Sequence, residues 1–153
     1  MNLIAKHLSC HVQMKWDKAS AATSNTDPTN SKIRPDVIFY ININSKQLEI
    51  GNGEIKRRTA SKKEVDEARS RMIGVCKRQL RLKYAGTTDD FVIFGVLIHG
   101  LQYEFFVVSY VDVYYPFEKL AWGEFASSAD SFKTLERTFQ SFLRLKKSMK
   151  QLG

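Results

Sequence analysis

The chain is poor in cysteine. Cys10 and Cys76 are the two it has in 153 residues, so no disulfide framework is expected and a reducing compartment is. Long apolar runs are missing as well. None approaches the roughly eighteen residues that a transmembrane helix needs, so no membrane partner is expected. Lys6, His7, His11 and Lys15 interrupt the first residues, and no small-residue cleavage site follows, so this segment does not read as a signal peptide. There is no glycine-rich phosphate loop, no zinc-ligand spacing and no nucleophile elbow, and Ser, His and Asp form no recognisable triad. Acidic groups are scarce: 16 Asp and Glu face 24 Lys and Arg, a formal net charge of +8. What is present, 43% hydrophobic and 12% aromatic residues, is globular composition and argues against a disordered basic tail. The expectation is one domain in an intracellular protein, nuclear or cytoplasmic, with a polyanionic partner.

The positive charge is concentrated. Residues 1–55 carry net +1, residues 56–83 net +8 (eleven basic, three acidic), residues 84–132 net −6 and residues 133–153 net +5. The 56–83 block therefore predicts the phosphate-facing side, and the 84–132 stretch a face that nucleic acid avoids.

Leu3, Ile4, Leu8, Val12 and Trp16 recur at helical spacing and predict an N-terminal helix over residues 2–18. A polar linker over 20–32 follows, so residues 1–34 read as helix plus linker and 35–153 as the α/β domain. Pro35 opens the apolar strand DVIFYINI, which ends at the turn formers Asn44 and Ser45. In the next strand Leu48 and Ile50 share a face but Ile55 has the opposite parity. A β-bulge between Gly51 and Gly53 would bring Ile55 back to their face and turn Glu54 and Lys56 to the other. Ser61-Lys62-Lys63-Glu64 is a capping box. The helix it starts should bury Val65, Ala68, Met72, Cys76 and Leu80 and end before Gly86. FVIFGVLI is a second apolar strand, turning at His99-Gly100. A long strand over 102–114 pairs back, Pro116 breaks it, and 117–125 forms a further short strand or an irregular edge. Residues 131–152 form an amphipathic C-terminal helix. The class is α/β, with helices on a mixed β-sheet of about four to five strands.

Antiparallel pairing through the Asn44 turn brings Asp36, at the start of one strand, beside Glu54-Ile55-Lys56, at the end of the next, although seventeen residues intervene. Two carboxylates at adjacent strand ends suit a hard divalent cation that keeps several waters. Lys56, two residues from Glu54, lies on the same face. Its ammonium could orient the water that attacks a phosphodiester, or stabilise the transition state.

Pro35-Asp36 followed by Glu54-Ile55-Lys56 resembles the PD-(D/E)XK nuclease superfamily, over about residues 35–108. GNGEIK, the basic helix and FVIFGVLIHG are similar to uncharacterised fungal proteins of that type. The resemblance implies a restriction-endonuclease-like fold and a nuclease, endo- or exonucleolytic, using Mg²⁺ or Mn²⁺ on DNA or RNA. Asp36, Glu54 and Lys56 would be catalytic, with Asp36 and Glu54 as metal ligands. Arg57, Arg58, Lys62, Lys63, Lys77 and Gln79 would contact nucleic acid. The first helix departs from the pattern, with no Glu and Asp17 alone as an acid. His7 and His11, one turn apart, are the other metal-type side chains there. The exonuclease branch spaces a Gln and a Tyr four apart, whereas Tyr84 lies five beyond Gln79.

Glu49 is the rival metal ligand, since Glu49-Ile50 is similar to the Glu-Ile pair of viral cap-snatching nucleases. Glu54 is preferred because Lys56 follows it. Phe105, Phe106, Tyr110, Tyr114 and Tyr115 read as core and cross-strand pairs rather than a base-stacking platform. The competing function is a catalytically inactive member that binds nucleic acid or a protein partner. A homodimer would use the C-terminal helix and the arm before Pro35.

Overall fold

In the computed structural model, residues 12–18, 20, 34–43, 45–84, 91–125, 127–128, 134, 137–138, 140–141, 143–145 and 147 are described. Their order is β1 (Gln13–Trp16), β2 (Val37–Ile43), β3 (Lys46–Lys56), α1 (Lys62–Tyr84), β4 (Val92–His99), β5 (Gln102–Ser109) and β6 (Phe117–Glu124). The six strands form one mixed sheet in sequence order. Neighbours pair antiparallel except β3 and β4, which run parallel because α1 carries the chain back between them. This is the expected α/β class, with six strands rather than four or five.

α1 starts where the capping box predicts. The Ser61 N–H donates to Glu64 Oε2 at 2.7 Å, and the Glu64 N–H donates to Ser61 Oγ at 3.2 Å. Both bonds satisfy amides that have no partner within the helix, and they hold the Glu64 carboxyl below its ordinary range. Val65, Ala68, Met72, Cys76 and Leu80 are all buried, against Leu97 and Phe106 at one end and Ile93 and Val108 at the other. Burial pushes the Cys76 thiol up to about 12, so it is an inert core group. The opposite face of the sheet buries Val37, Phe39, Ile41, Ile50, Phe94, Val96, Tyr103 and Phe105 with Leu145. Leu145 belongs to the C-terminal segment, whose described residues from 134 to 147 are helical. The Tyr103 hydroxyl donates to Ser141 Oγ at 3.1 Å, tying that segment to β5.

Three expectations need correction. Gln13–Trp16 is a strand, not helix, while the rest of the expected helix up to residue 11, His7 and His11 included, lies outside the described residues. The apolar spacing was a weaker guide than the open edge of β2, whose backbone groups β1 satisfies from Tyr40 to Val37. The bulge in β3 sits one residue earlier than expected. Phe39 pairs with Gly51 and Tyr40 with Glu49, so Ile50 is the surplus residue. The long strand over 102–114 stops at Ser109. Beyond it, Val111 and Tyr114 exchange backbone hydrogen bonds of 3.0 and 2.8 Å around Asp112 and Val113, which adopt φ of 45° and 68°.

Gly51 lies where β3 passes closest to β4. A Cβ there would stand 2.4 Å from the backbone oxygen of Phe94, a contact that only a shift of one strand could relieve. Gly51→Ala is therefore expected to lower stability by about 1–3 kcal/mol in urea unfolding. Gly74→Ala, on α1 with open space around its Cβ position, should instead leave stability unchanged or raise it.

Candidate functional site

The register of β2 against β3 pairs Val37 with Gly53, which sets Asp36 next to Glu54 and Ile55. Asp36 Oδ2 accepts the Ile55 N–H at 2.6 Å, and the Asp36 carbonyl accepts the Asp17 N–H at 3.0 Å. One Asp36 oxygen thus fixes the end of β3. Glu54 points to the face that carries α1 and is 2% exposed. Its Oε1 is buried with no hydrogen-bond partner among the described residues. Its Oε2 stands 3.8 Å from Lys56 Nζ and 4.0 Å from Arg71 Nη1. Burial raises the Glu54 pKa above its ordinary value. Arg71 opposes the rise, Asp36 adds to it, and Lys56 opposes it. The structure therefore gathers Asp36, Glu54 and Lys56 at one end of the β2–β3 pair. Ile55 points to the opposite face, as expected, but is 40% exposed because the sheet ends there.

The bulge at Ile50 also turns Glu49 to the α1 face, where a buried polar row continues away from Glu54. Gln79 Nε2 donates to Glu49 Oε2 at 2.8 Å and to the Gly51 carbonyl at 3.3 Å. Gln79 Oε1 accepts from Asn52 Nδ2 at 3.1 Å, and the same amide nitrogen reaches Cys76 Sγ and the Met72 carbonyl. Ser20 donates to Glu49. Burial pushes Lys83 down to about 8, with Glu49 opposing. Two expectations change here. Gln79 is 2% exposed and holds β3 to α1, so it is not a surface contact for nucleic acid. Glu49 is engaged in this row. Among the described residues no three of His, Cys, Asp and Glu stand together as metal ligands, so Glu49 does not join Asp36 and Glu54.

Arg57, Arg58, Lys62 and Lys63 are exposed where β3 passes into α1, the same end as Glu54. Lys77 is not with them. It lies fifteen residues beyond Lys62, about 22 Å along the helix, with its ammonium 5.8 Å from the Tyr115 ring. Arg69, also in the basic block, is already spent: Nε and Nη2 donate to the two Glu104 oxygens at 3.1 and 3.0 Å. Lys119 stands 3.5 Å from the same carboxylate, so the main acid of β5 is neutralised in place.

Arg71, Asn52 and His99 were not singled out from the sequence. Arg71 reads as one more solvated helix cation, and Asn52 falls in the expected bulge between two glycines with no role of its own. His99, expected in a turn, is the register partner of Lys56 on β4. For Arg71, the one available signal is its place seven residues before Arg78, on the flank of α1 away from the buried stripe.

No protein-family model, no curated protein and no solved structure matches the chain.

The raised Glu54 pKa fixes a sign. Folding favours its protonated form, so the stabilisation this provides is complete below the unfolded value near 4.5 and is lost as pH rises through the higher folded value. Glu54→Gln, which cannot ionise, should unfold at higher urea than the wild type at pH 8. The difference should shrink as pH falls towards 4.5. A midpoint for the variant below wild type at pH 8 would show that the cations outweigh burial.

Proposed function

We propose that the chain is a metal-dependent nuclease of restriction-endonuclease-like fold that hydrolyses phosphodiester bonds of DNA or RNA. The observation that carries this reading is the convergence of Asp36, Glu54 and Lys56 at one end of β2 and β3, with a buried Glu54 oxygen that has no hydrogen-bond partner among the described residues. The strand that Asp36 immediately precedes, the strand bearing Glu54 and Lys56, the helix and the parallel strand β4 also follow the order that the resemblance implies.

The donor set fits Mg²⁺ or Mn²⁺. Both are hard cations that take one or two carboxylates and leave their remaining positions to water and phosphate. Asp36 through its second oxygen and Glu54 would hold the ion. When bound, such an ion polarises a phosphoryl oxygen and makes a water more acidic. The chain's own groups do the rest. Lys56 is a point charge beside Glu54 that can orient the attacking water or meet negative charge developing on the phosphorus oxygens. Arg57, Arg58, Lys62 and Lys63 continue from that end of the sheet and would grip the backbone on either side, making binding strongly salt-dependent.

A second reading, a non-cutting member that binds nucleic acid or a protein partner, is favoured by the burial of Glu54 at 2% exposure and by the lack of a third metal-type ligand among the described residues. Cleavage assays on labelled DNA and RNA with Mg²⁺ or Mn²⁺ separate the two. The nuclease reading expects cutting that stops on chelation and falls at least about a hundredfold in Glu54→Ala and in Lys56→Ala. Salt-sensitive binding that persists in chelator, with no cutting under any condition, would establish the second reading instead.

A further inference from the structure

α1 carries two arginines two residues apart, and the structure treats them differently. Arg69 is closed: its guanidinium forks onto both oxygens of Glu104 at 3.0 and 3.1 Å and also meets Asp66 at 2.5 Å. Such bidentate contacts are the strong form of the arginine–carboxylate pair. Arg71 is open. Its nearest anion among the described residues is Glu54 Oε2 at 4.0 Å, well beyond the roughly 2.7–2.9 Å of a charge-assisted hydrogen bond, and 41% of its side chain is exposed. Lys56 approaches the same oxygen from β3 and also stops short, at 3.8 Å. Two cations on two different elements thus face one buried carboxylate without closing on it. Both cations keep part of their hydration, with 27% of the Lys56 side chain and 41% of the Arg71 side chain exposed, so each is free to meet an anion arriving from solvent.

From this we infer that Arg71 is a catalytic residue that exchanges Glu54 for the scissile phosphate, an inference that rests on the nuclease reading above. Without substrate the guanidinium competes with a divalent cation for Glu54. A phosphodiester offers two non-bridging oxygens at the spacing that a planar guanidinium grips, which an ammonium cannot do. As Arg71 turns to the phosphate, Glu54 loses a competing positive charge. Nucleic acid therefore raises the cation affinity of the site, and by linkage the cation raises the affinity for nucleic acid. The exchange moves hydrogen bonds only and makes or breaks no covalent bond.

The test uses the full chain and two readouts that move in opposite directions. In calorimetric titration with Mn²⁺ alone, Arg71→Ala should bind the ion about threefold or more tightly than wild type, because a positive charge near Glu54 is gone. In single-turnover cleavage of a labelled oligonucleotide, the same variant should be at least about a hundredfold slower. Arg71→Lys keeps the competing charge and loses the fork. It should match the Mn²⁺ affinity of wild type but recover at most about a tenth of its cleavage rate. Alanine is a good helix former at this part-exposed position, and an unchanged melting temperature checks that the fold is kept. Mn²⁺ affinity unchanged or weakened in Arg71→Ala, or cleavage at the wild-type rate, overturns the proposal while the nuclease reading stands. A wild type that binds Mn²⁺ and cuts nothing overturns the nuclease reading and the catalytic role of Arg71 with it.

Discussion

Ile50 has no partner of its own on β2, and because strand side chains alternate, that one surplus residue turns Glu49 and Glu54 to the same face of the sheet. Without it, Glu49 would face the core formed with Leu145 whenever Glu54 faced α1. With it, one face of β3 becomes a polar row running from Glu49 through Asn52 to Glu54 and Lys56, and the other keeps Leu48 and Ile50 for the apolar core. The two close glycine contacts follow from the same geometry. Gly51 and Gly53 pass so near Phe94 and Val96 of β4 that no side chain fits, while Asn52 between them reaches across to α1.

That row carries a cost, met differently at its two ends. Gln79 donates to Glu49 and accepts from Asn52, so most of their burial is compensated by hydrogen bonds, although Asn52 Oδ1 has no partner among the described residues. Glu54 is buried with one oxygen unpartnered among the described residues and two cations at arm's length, and burial dominates its titration. A chain under selection for stability alone would have closed that ion pair or replaced the carboxylate with an apolar side chain. A buried, incompletely paired carboxylate beside Asp36 and Lys56 is the kind of strain that functional sites retain.

Much of this was legible in the residues because it is local. The capping box at Ser61 and Glu64 involves groups three apart, and the buried stripe of α1 is a matter of helical period, so both appear in the structure as read. The pairing of Asp36 with Glu54 was legible because a short turn fixes hairpin register. The surplus residue could be inferred from the parity of Leu48, Ile50 and Ile55, but its position could not, since either glycine could have hosted it. Gln13–Trp16 misled because helical spacing of large residues competes with an offer the sequence does not display, the open edge of β2. Gln79 misled for a related reason. A polar residue on a helix is usually solvated, and its place opposite Glu49 depends on the bulge in another element.

The sequence by itself determined the order of elements from β2 to β5, the cap and buried stripe of α1, and the acid–acid–lysine set at one end of the β2–β3 hairpin. Each depends on neighbours within a turn, a pleat or a hairpin. Tertiary structure alone decided that β1 adds to the sheet, that Gln79 and Glu49 satisfy one another, and that Arg69 closes on Glu104 while Arg71 stays open beside Glu54. Those outcomes depend on which side chains meet across elements, and the packing of α1 on one face of β3, β4 and β5 fixes that meeting.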